Sequence, residues 1–341
     1  MNNKENKIIH LALENLQQNA SISGKWVSTG PEELDGWIEF AIDHLQIRLR
    51  TTIRQELRNH QLPKLIEQAD RLGPLLVVAN HLFPKIKEEL RQKHIAYLEA
   101  NGNIYIRQEG LMVWLDGQKP IPTAIEKGNR AFTKTGLKVV FHFLNDEKLL
   151  HLRYRDIARI THVALGNINN VMNGLKDLNF LIEVDNRTFR LNKKKELLQK
   201  WMAAYEERLK PSLVIGRFRF LKEEDFTNWN TIQLVRGRTY WGSEPAGHLL
   251  THFLSPGELT LYTTETRSEL IRNYRLIPDE KGNVIAFQKF WHNEHLIDKI
   301  DAAEGLIVPP LLAYTDLMNT GDRRCIETAQ KIYDELLQNR L

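Results

Sequence analysis

Three asparagines share one face of a predicted helix, and their side-chain amides are suited to contacts with DNA bases. Apolar residues at helical spacing predict this helix between Ala164 and Leu178 and give it a buried stripe of Ile168, Val171, Met172, Leu175 and Leu178. The opposite face carries Gly166, Asn169, Asn170, Asn173 and Lys176. Asparagine is a poor helix former, but its amide can make a bidentate hydrogen bond to the N6 and N7 edge of adenine in the major groove. The pattern favours DNA readout, with an ordinary solvated face and a protein-contact surface as the alternatives.

Basic residues lie on both sides of this helix in the sequence. Arg153, Arg155 and Arg159 precede it on a shorter predicted helix, and Arg187, Arg190 and the run Lys193-Lys194-Lys195 follow it. Contacts of such residues with phosphates supply affinity and register rather than sequence information. The candidate DNA-binding residues are Arg153, Tyr154, Arg155, Asn167, Asn169, Asn170, Asn173, Arg187, Arg190 and Lys193.

The elements around these residues follow the order of a winged helix-turn-helix. The apolar run Gly136–Leu144 predicts a first helix, Tyr154–Thr161 predicts a second, and the asparagine-bearing helix is the third. Two β-like runs follow, joined by the turn-prone tripeptide Asp185-Asn186-Arg187, which predicts a hairpin. A further helix is predicted at 193–209. We therefore expect a winged helix-turn-helix DNA-binding domain over residues 136–209.

Composition limits the class of protein. A formal net charge of +4 excludes a histone-like polycation but is compatible with local basic patches. The single cysteine, Cys325, excludes an intrachain disulfide framework and is typical of a reducing cytosol. The N-terminus lacks the apolar core of a signal peptide, and no apolar run approaches the roughly 20 residues of a membrane span. We expect a cytoplasmic protein that does not associate with membranes.

Residues 1–118 are expected to form a separate α/β domain. Apolar and polar residues alternate in two runs between Gly36 and Arg54, which predicts an antiparallel pair of strands with one buried face. The continuous apolar run Leu75–Ala79 predicts a strand covered on both faces, and Asn101-Gly102 between two β-like runs predicts a hairpin. Residues 119–135 contain two prolines and a glycine and are the expected linker.

The element order of residues 1–118 resembles the restriction-endonuclease-like fold. Active members of that fold place an acid on one strand and Glu-x-Lys or Asp-x-Lys on the next, so that carboxylates hold Mg²⁺. The acids available here are Asp35, Glu39 and Asp43, and the following strand offers Arg48, Arg50 and Arg54. No carboxylate precedes a lysine there, and arginines would repel the ion, so a degenerate, non-cleaving domain is expected. The arginine row itself is either a nucleic-acid contact or a solvated sheet face.

Residues 211–341 are expected to form a second α/β domain, which makes the chain an α+β multidomain protein. The strands are predicted at 213–220, 231–235, 259–263, 284–287 and 306–308, and the helices at 245–254, 267–274, 310–319 and 324–337. A possible partner-contact surface consists of Glu244, Asp316, Asp322, Arg323 and Arg324. The alternative for the last four is a solvated loop in which Asp322 caps the final helix.

Motifs for cofactor or metal chemistry are not found in the sequence. It contains neither G-x-x-x-x-G-K-[ST] nor G-x-G-x-x-G, and therefore no fingerprint for phosphate binding. The histidines are scattered, and with one cysteine and no H-E-x-x-H a zinc site is not expected. We therefore expect no catalytic residues, no bound metal and no cofactor.

Three stretches of the chain are similar to the AbiEi-like antitoxins of type IV toxin–antitoxin systems, in the longer branch with an extra N-terminal domain. The first stretch includes Glu99-Ala100-Asn101-Gly102-Asn103-Ile104-Tyr105, where the family has Asp, Ala, Gly, Asn, Ala and Tyr. The second is Tyr154-Arg155-Asp156-Ile157-Ala158 with Leu165-Gly166-Asn167-Ile168. The third combines Trp241-Gly242-Ser243-Glu244-Pro245-Ala246 with Pro309–Leu317 and Glu327-Thr328-Ala329.

This resemblance implies a DNA-binding repressor of its own operon. It also implies a functional partner, a toxin of nucleotidyltransferase type, which the antitoxin counteracts without a stable complex being required. Two alternatives from other classes remain open on the residues alone. One is a metal-dependent endonuclease targeted by the winged helix, and the other is a protein-interaction scaffold.

Overall fold

The computed structural model describes residues 3–28, 34–42, 44–58, 61–108, 110–118, 129–185, 188–292 and 307–340. The chain divides into two compact units, Met1–Lys127 and Gly128–Leu341. Unit 1 contains the whole region expected to resemble a restriction endonuclease, residues 1–118. Unit 2 contains both the predicted DNA-binding region and the predicted C-terminal domain.

Unit 1 is a seven-stranded sheet with helices on both faces. Its elements are α1 (Asn3–Ala20), β1 (Ser23–Ser28), β2 (Gly36–Ile42), β3 (Leu45–Glu56), α2 (Leu62–Leu72), β4 (Leu75–His81), α3 (Pro84–Gln92), β5 (Ala96–Glu99), β6 (Ile104–Gln108) and β7 (Leu111–Leu115). The strands lie in chain order, with β3, β4 and β5 parallel and the other neighbours antiparallel. Leu76 and Val78 pack towards α1, whereas Leu75 and Val77 pack towards α2 and α3, so β4 is covered on both faces as predicted.

The predicted strand pair and hairpin of unit 1 are confirmed. β2 and β3 pair with Ile38 opposite Leu49, and the turn at Asn101-Gly102 joins β5 to β6. The sequence pattern does not predict β1, because a glycine such as Gly24 is more typical of a break between elements than of a strand interior. A Cβ at Gly24 would lie 2.6 Å from the side chain of Leu13 in α1, so the glycine lets α1 pack closely on an otherwise regular strand.

The first part of unit 2 has the predicted element order of three helices and a hairpin. The elements are α4 (Lys134–Asn145), α5 (Tyr154–Thr161), α6 (Leu165–Asp177), β8 (Leu181–Asp185), β9 (Thr188–Leu191) and α7 (Lys194–Ala204). The expected linker 119–135 is too long at its C-terminal end. Arg130–Phe132 forms a 3₁₀ turn with Ala131 and Phe132 buried, and Thr133 caps α4. Residues 119–128 of that linker lie outside the described part of the chain.

The second part of unit 2 is a five-stranded mixed sheet with packed helices. Its elements are β10 (Val214–Phe220), α8 (Glu223–Thr227), β11 (Thr239–Gly242), α9 (Ser243–Thr251), β12 (Leu259–Thr263), α10 (Arg267–Tyr274), β13 (Leu276–Pro278), β14 (Val284–Gln288), α11 (Pro310–Thr320) and α12 (Arg323–Ile332). The sheet order is β11-β12-β14-β10-β13, and only β12 and β14 are parallel among these neighbours.

Two strand predictions in this sheet were wrong. Residues 231–235 form no strand: Trp229–Thr231 is a 3₁₀ turn, and β11 follows it at Thr239. In the predicted strand 306–308, Ile307 makes only an isolated bridge with Trp241, and position 306 lies outside the described residues. The α+β class with several sheets is confirmed.

One hydrophobic core runs through unit 2. It includes residues of the three-helix region and of the C-terminal sheet, from Ala131 to Leu337. The Phe141 ring of α4 lies 5.0 Å from that of Phe290, and the Trp201 indole nitrogen donates to the carbonyl oxygen of Leu137 at 2.8 Å. Residues 136–209 and 211–341, expected as separate domains, therefore share their buried interior.

Candidate nucleic-acid interface

The asparagine face of α6 is open to solvent. Asn169, Asn170 and Asn173 are exposed. The predicted stripe on the opposite side is buried at Ile168, Val171, Met172 and Leu175, and Leu178 is half-buried. Burial of this stripe fixes the helix on the core, so the three amides are presented on a rigid support. Such a support is what a base-reading helix requires.

A short segment before α4 holds the other side of α6. The Asn129 side-chain nitrogen donates to the carbonyl oxygen of Gly174 at 2.8 Å, and its side-chain oxygen accepts from the Ala131 amide at 2.9 Å. Because a Cβ at Gly174 would lie 2.4 Å from the Asn129 side-chain oxygen, any larger residue there would force the Asn129 side chain to shift. Segment 129–132 is therefore fixed against the helix.

Asn167 lies apart from the other three asparagines of α6. It is half-buried and lines a cleft of about 300 Å³ whose other lining residues are Arg130, Thr133, Lys134, Thr135, Gly136 and Val171. Arg130 and Lys134 are exposed. Sequence reasoning missed these two basic residues, although both lie within six residues of the start of the first predicted helix of the region.

The arginines of α5 project into solvent. Arg153 stands at the position before the helix, without a side-chain capping bond. Arg153, Arg155 and Arg159 are all exposed, and Arg159 lies 3.3 Å from Asp156. Tyr154, in contrast, is half-buried against the core. Burial, together with the nearby charge of Glu183, raises the pKa of Tyr154, so its hydroxyl stays protonated and can donate a hydrogen bond.

The hairpin and the residues after it carry further cations. Arg190 and Lys193 are exposed, and Lys193 lies 3.8 Å from Glu196. Lys176 of α6 is directed towards the hairpin, with its ammonium 4.4 Å from the centre of the Phe189 ring and 3.8 Å from Glu183. Arg187, at the predicted hairpin turn, lies outside the described residues.

Asp316 does not belong to a partner-contact surface, because its side chain is fully buried. Its carboxylate accepts from the Tyr262 hydroxyl at 2.8 Å and lies 3.0 Å from the Lys210 ammonium. Burial alone would lower the pKa of Lys210, but the nearby carboxylates of Asp316 and Glu206 have the larger combined effect, so the pKa of Lys210 is raised. The expectation for Asp316 is therefore corrected: it anchors α11 to the start of the C-terminal sheet.

The other residues of the expected partner surface have local roles. Asp322 caps α12 by accepting from the Arg324 and Cys325 amides at 2.9 and 3.2 Å, as the alternative interpretation required. Arg323 pairs with Glu327 at 2.9 Å and is exposed. Glu244 accepts from the Gly257 amide at 2.6 Å. These contacts do not bring the set together around Asp316.

The single cysteine is buried and not disposed to act as a nucleophile. Burial, reinforced by the nearby carboxylate of Glu244, raises the pKa of Cys325 to about 12. A thiol with such a pKa is almost entirely protonated near neutrality. Cys325 is therefore a small residue of the core.

In unit 1, Asp35 is the first of the acids that a nuclease site would need. A threonine and an arginine lie beside it. The carboxylate of Asp35 accepts from the Ile53 amide at 2.7 Å and the Thr52 hydroxyl at 3.2 Å, and Arg54 lies 3.6 Å away. Glu39 pairs with Arg48 at 3.5 Å. Asp43 lies outside the described residues, and among those described no group of three His, Cys, Asp or Glu side chains is placed to hold a metal.

Two arginines of the β3 row are engaged with the sheet. The guanidinium groups of Arg48 and Arg50 lie 4.6 and 5.3 Å from the centre of the Trp37 ring, and Arg50 also donates to the carbonyl oxygen of Leu72. These contacts favour the solvated-face interpretation of the row, because its cations are already partly satisfied within unit 1.

Glu99, the acid of the first family-like stretch, has a buried structural position. It accepts from the Leu82 amide at 2.7 Å and the Asn103 side chain at 2.9 Å, and Lys87 lies 3.3 Å away. Burial opposes its charge, but these donors, with His81, lower the pKa of Glu99. The ionised carboxylate thereby joins the ends of β4 and β5 to α3.

Comparison with known proteins gives one match. Residues 190–338 match a family model described as transcriptional regulator, AbiEi antitoxin, type IV toxin–antitoxin system. No curated protein and no solved structure matches the chain. In the described part of the chain, no helix has the length and apolar character needed to span a membrane. The similarity to AbiEi-like antitoxins is therefore confirmed over residues 190–338, a stretch that covers less than half of the chain.

Proposed function

We propose that this protein is a cytoplasmic DNA-binding repressor of its own operon and the antitoxin of a type IV toxin–antitoxin system. Residues 136–209 act as the winged helix-turn-helix, with α6 in the major groove and α5 and the hairpin on the phosphate backbone. The partner is a nucleotidyltransferase-type toxin, which the protein counteracts without requiring a stable complex. The family match over residues 190–338 supports the regulatory and antitoxin class.

The exposed face of α6 carries the DNA-binding part of this proposal. Its three asparagines are exposed on a helix whose opposite side is buried. Arg153 and Arg155 on the preceding helix and Arg190 on the hairpin are also exposed. Amides for base edges flanked by cations for phosphates are the division of labour found in helix-turn-helix proteins.

Unit 1 is proposed to be a degenerate restriction-endonuclease-like domain that does not cleave DNA. One helix, three antiparallel strands, a second helix and a parallel fourth strand support the likeness. Beside Asp35, the chain has Thr52 and Arg54, where a nuclease would need a carboxylate and a lysine. The positive charge of Arg54 opposes a cation at Asp35 and weakens the case for metal-dependent cleavage.

The proposal is tested by expressing the protein in cells with the neighbouring toxin gene and a reporter behind the upstream promoter. We expect wild type to repress the reporter and to restore growth. The Asn169→Ala/Asn170→Ala variant should lose repression. Failure of wild type to repress would refute the repressor assignment, and failure to restore growth, with the toxin shown to be active, would refute the antitoxin assignment.

A further inference from the structure

β7 is an edge strand of the sheet in unit 1, and within the described residues it lacks the features that usually protect such edges. It pairs with β6, and no described strand lies on its other side. The unpaired backbone groups of an edge can bind a further strand, and proteins usually block this with charges, proline or a cover. The sequence Leu111-Met112-Val113-Trp114-Leu115 contains neither a charge nor a proline.

The other edge strands described in the structure are protected. β1 contains Lys25, and β13 ends at Pro278. β11 is buried throughout and bridged by Ile307. The two strands of the hairpin carry Glu183 and Arg190. Among these edges, β7 alone combines an apolar sequence with exposed side chains.

Two large apolar side chains of β7 project from one face of the sheet. Met112 is 59% exposed and Trp114 is 56% exposed. The Arg91 guanidinium lies 5.1 Å from the centre of the Trp114 ring, and Arg91 is itself held by Glu88 at 2.5 Å and the Tyr97 hydroxyl at 3.0 Å. The indole is therefore presented in a fixed orientation, and Trp, Met and Arg are enriched in protein interfaces.

The order of residues in β7 is self-complementary. In an antiparallel pair of two β7 strands centred on Val113, Met112 of each copy lies opposite Trp114 of the other. Leu111 lies opposite Leu115 in the same register. Each Met–Trp pair places a thioether against an aromatic ring, which is a favourable contact. A twofold axis through Val113 therefore pairs every residue of the strand with an apolar partner.

We infer that β7 is the interface of a homodimer, in which two copies of the chain join their sheets edge to edge around Val113. The occupant is a second copy because the strand matches itself in the antiparallel register, as a twofold-symmetric interface requires. This inference does not depend on the proposed function. If both hold, one particle presents two copies of α6 and binds two half-sites.

The test is sedimentation equilibrium of the full-length protein and designed variants. Wild type should be dimeric at micromolar concentration. Met112→Glu/Trp114→Glu places like charges opposite each other and should raise the dimer dissociation constant by more than roughly tenfold. Met112→Lys/Trp114→Glu places opposite charges at the same cross-strand positions and should restore most of the dimer. Both positions are exposed, and circular dichroism and melting curves check that each variant folds.

Leu45→Glu is the matched control, because Leu45 is a 49% exposed apolar residue of the same sheet away from β7. It should remain as dimeric as wild type. A monomeric wild type overturns the inference, and so does a dimer that the like-charge variant does not weaken. Equal weakening by the like-charge and opposite-charge variants also overturns it. If wild type is monomeric and the like-charge variant loses affinity for a labelled single-stranded oligonucleotide, the edge belongs to nucleic acid instead.

Discussion

Lys210 neutralises two carboxylates at a position largely removed from water. Its ammonium lies 3.0 Å from the buried Asp316 and 3.1 Å from Glu206. Lys210→Met would leave Asp316 buried without its cation, and removing one partner of a buried pair typically costs about 3–5 kcal/mol. We expect the free energy of unfolding to fall by this order, as measured by urea denaturation followed by tryptophan fluorescence.

The control for Lys210 is an ion pair at the surface. Arg323 pairs with Glu327 but is exposed to solvent, and exposed pairs contribute about 0–1 kcal/mol. Arg323→Ala should therefore barely change the free energy of unfolding. Similar losses in the two variants would show that the Lys210–Asp316 contact is no more important than a surface pair.

His142 should make unit 2 less stable at acid pH. Its ring is fully buried, Nδ1 lies 2.7 Å from the Lys138 carbonyl oxygen, and no described partner reaches Nε2. Burial, with a smaller contribution from His162, lowers the pKa of His142 to about 4. As pH falls below about 6.5, His142 binds a proton in the unfolded chain, whereas in the folded chain it does so only near pH 4. The contribution of neutral His142 to the free energy of unfolding is therefore complete above about pH 6.5. It is lost progressively as pH falls from about 6.5 to about 4.

The His142→Leu variant tests this titration. Between about pH 7.5 and pH 5, titration of His142 should lower the free energy of unfolding of wild type by roughly 2 kcal/mol. In His142→Leu, the fall between the same two pH values should be smaller by that amount. His151→Gln, at an exposed histidine, should behave like wild type. The assignment fails if urea denaturation at the two pH values gives the same difference for wild type and His142→Leu.

At the scale of elements, Gly174 controls how closely segment 129–132 packs on α6. Because a Cβ at Gly174 would lie 2.4 Å from the Asn129 side chain, Gly174→Ala should lower the free energy of unfolding by about 1–3 kcal/mol, as overpacking does. Asn129→Gly in the same chain removes the clashing atoms. The double variant should therefore lose less than the sum of the two single changes, as a double-mutant cycle of melting curves would show. Additive losses would rule out the contact as the cause.

The cations of α5 and the hairpin should contribute to DNA binding through phosphates. Arg155 and Arg190 are exposed. Each cation that meets a phosphate releases condensed counterions, so Arg155→Ala or Arg190→Ala should flatten the slope of log K against log salt by somewhat under one unit. The measurement is an anisotropy titration at several salt concentrations. Arg323→Ala, outside the proposed interface, should keep the wild-type slope, and an unchanged slope in all three would remove α5 and the hairpin from the interface.

Periodicity predicted the elements that have one buried face. The stripe of α6 and the alternation of β2 and β3 are present in the structure because their pattern records which side faces the core. It could not predict β11, which is only four residues long and has the sequence Thr239-Tyr240-Trp241-Gly242. All four residues are buried, so the strand has no alternation, and it lacks the continuous aliphatic run that predicted the equally buried stretch Leu75–Ala79 of β4. The strand prediction at 231–235 was wrong for the converse reason, since its apolar residues pack without joining the sheet.

The exposure and burial of the candidate residues were predicted in part. The exposure of Asn169, Asn170 and Asn173 followed from the helical spacing, but the burial of Asp316 was missed. A signal was available, because Asp316 is the only charged residue in α11, and a helix that is apolar on all sides is usually buried. The nearness of Arg130 to Asn167 was not available, since it arises from the packing of segment 129–132 on α6.

At the scale of the whole molecule, the family match and the proposed DNA-binding face occupy different stretches of sequence. The match covers residues 190–338, whereas α6 ends at Asp177. The two stretches nevertheless belong to one compact unit with one core. Base readout by α6 is therefore the proposed property that the family match supports least, and it is best tested in the intact chain.

The most direct test is an anisotropy titration of the full-length protein with duplex DNA from upstream of its own gene and with a scrambled duplex. Wild type should prefer the native duplex. Asn169→Ala/Asn170→Ala should weaken that binding by roughly 1–3 kcal/mol for each asparagine that reads a base and leave scrambled binding unchanged. Asn230→Ala, at an exposed asparagine elsewhere in unit 2, should match wild type. Equal affinity of wild type for both duplexes, or equal weakening on both in the α6 variant, would contradict base readout by α6.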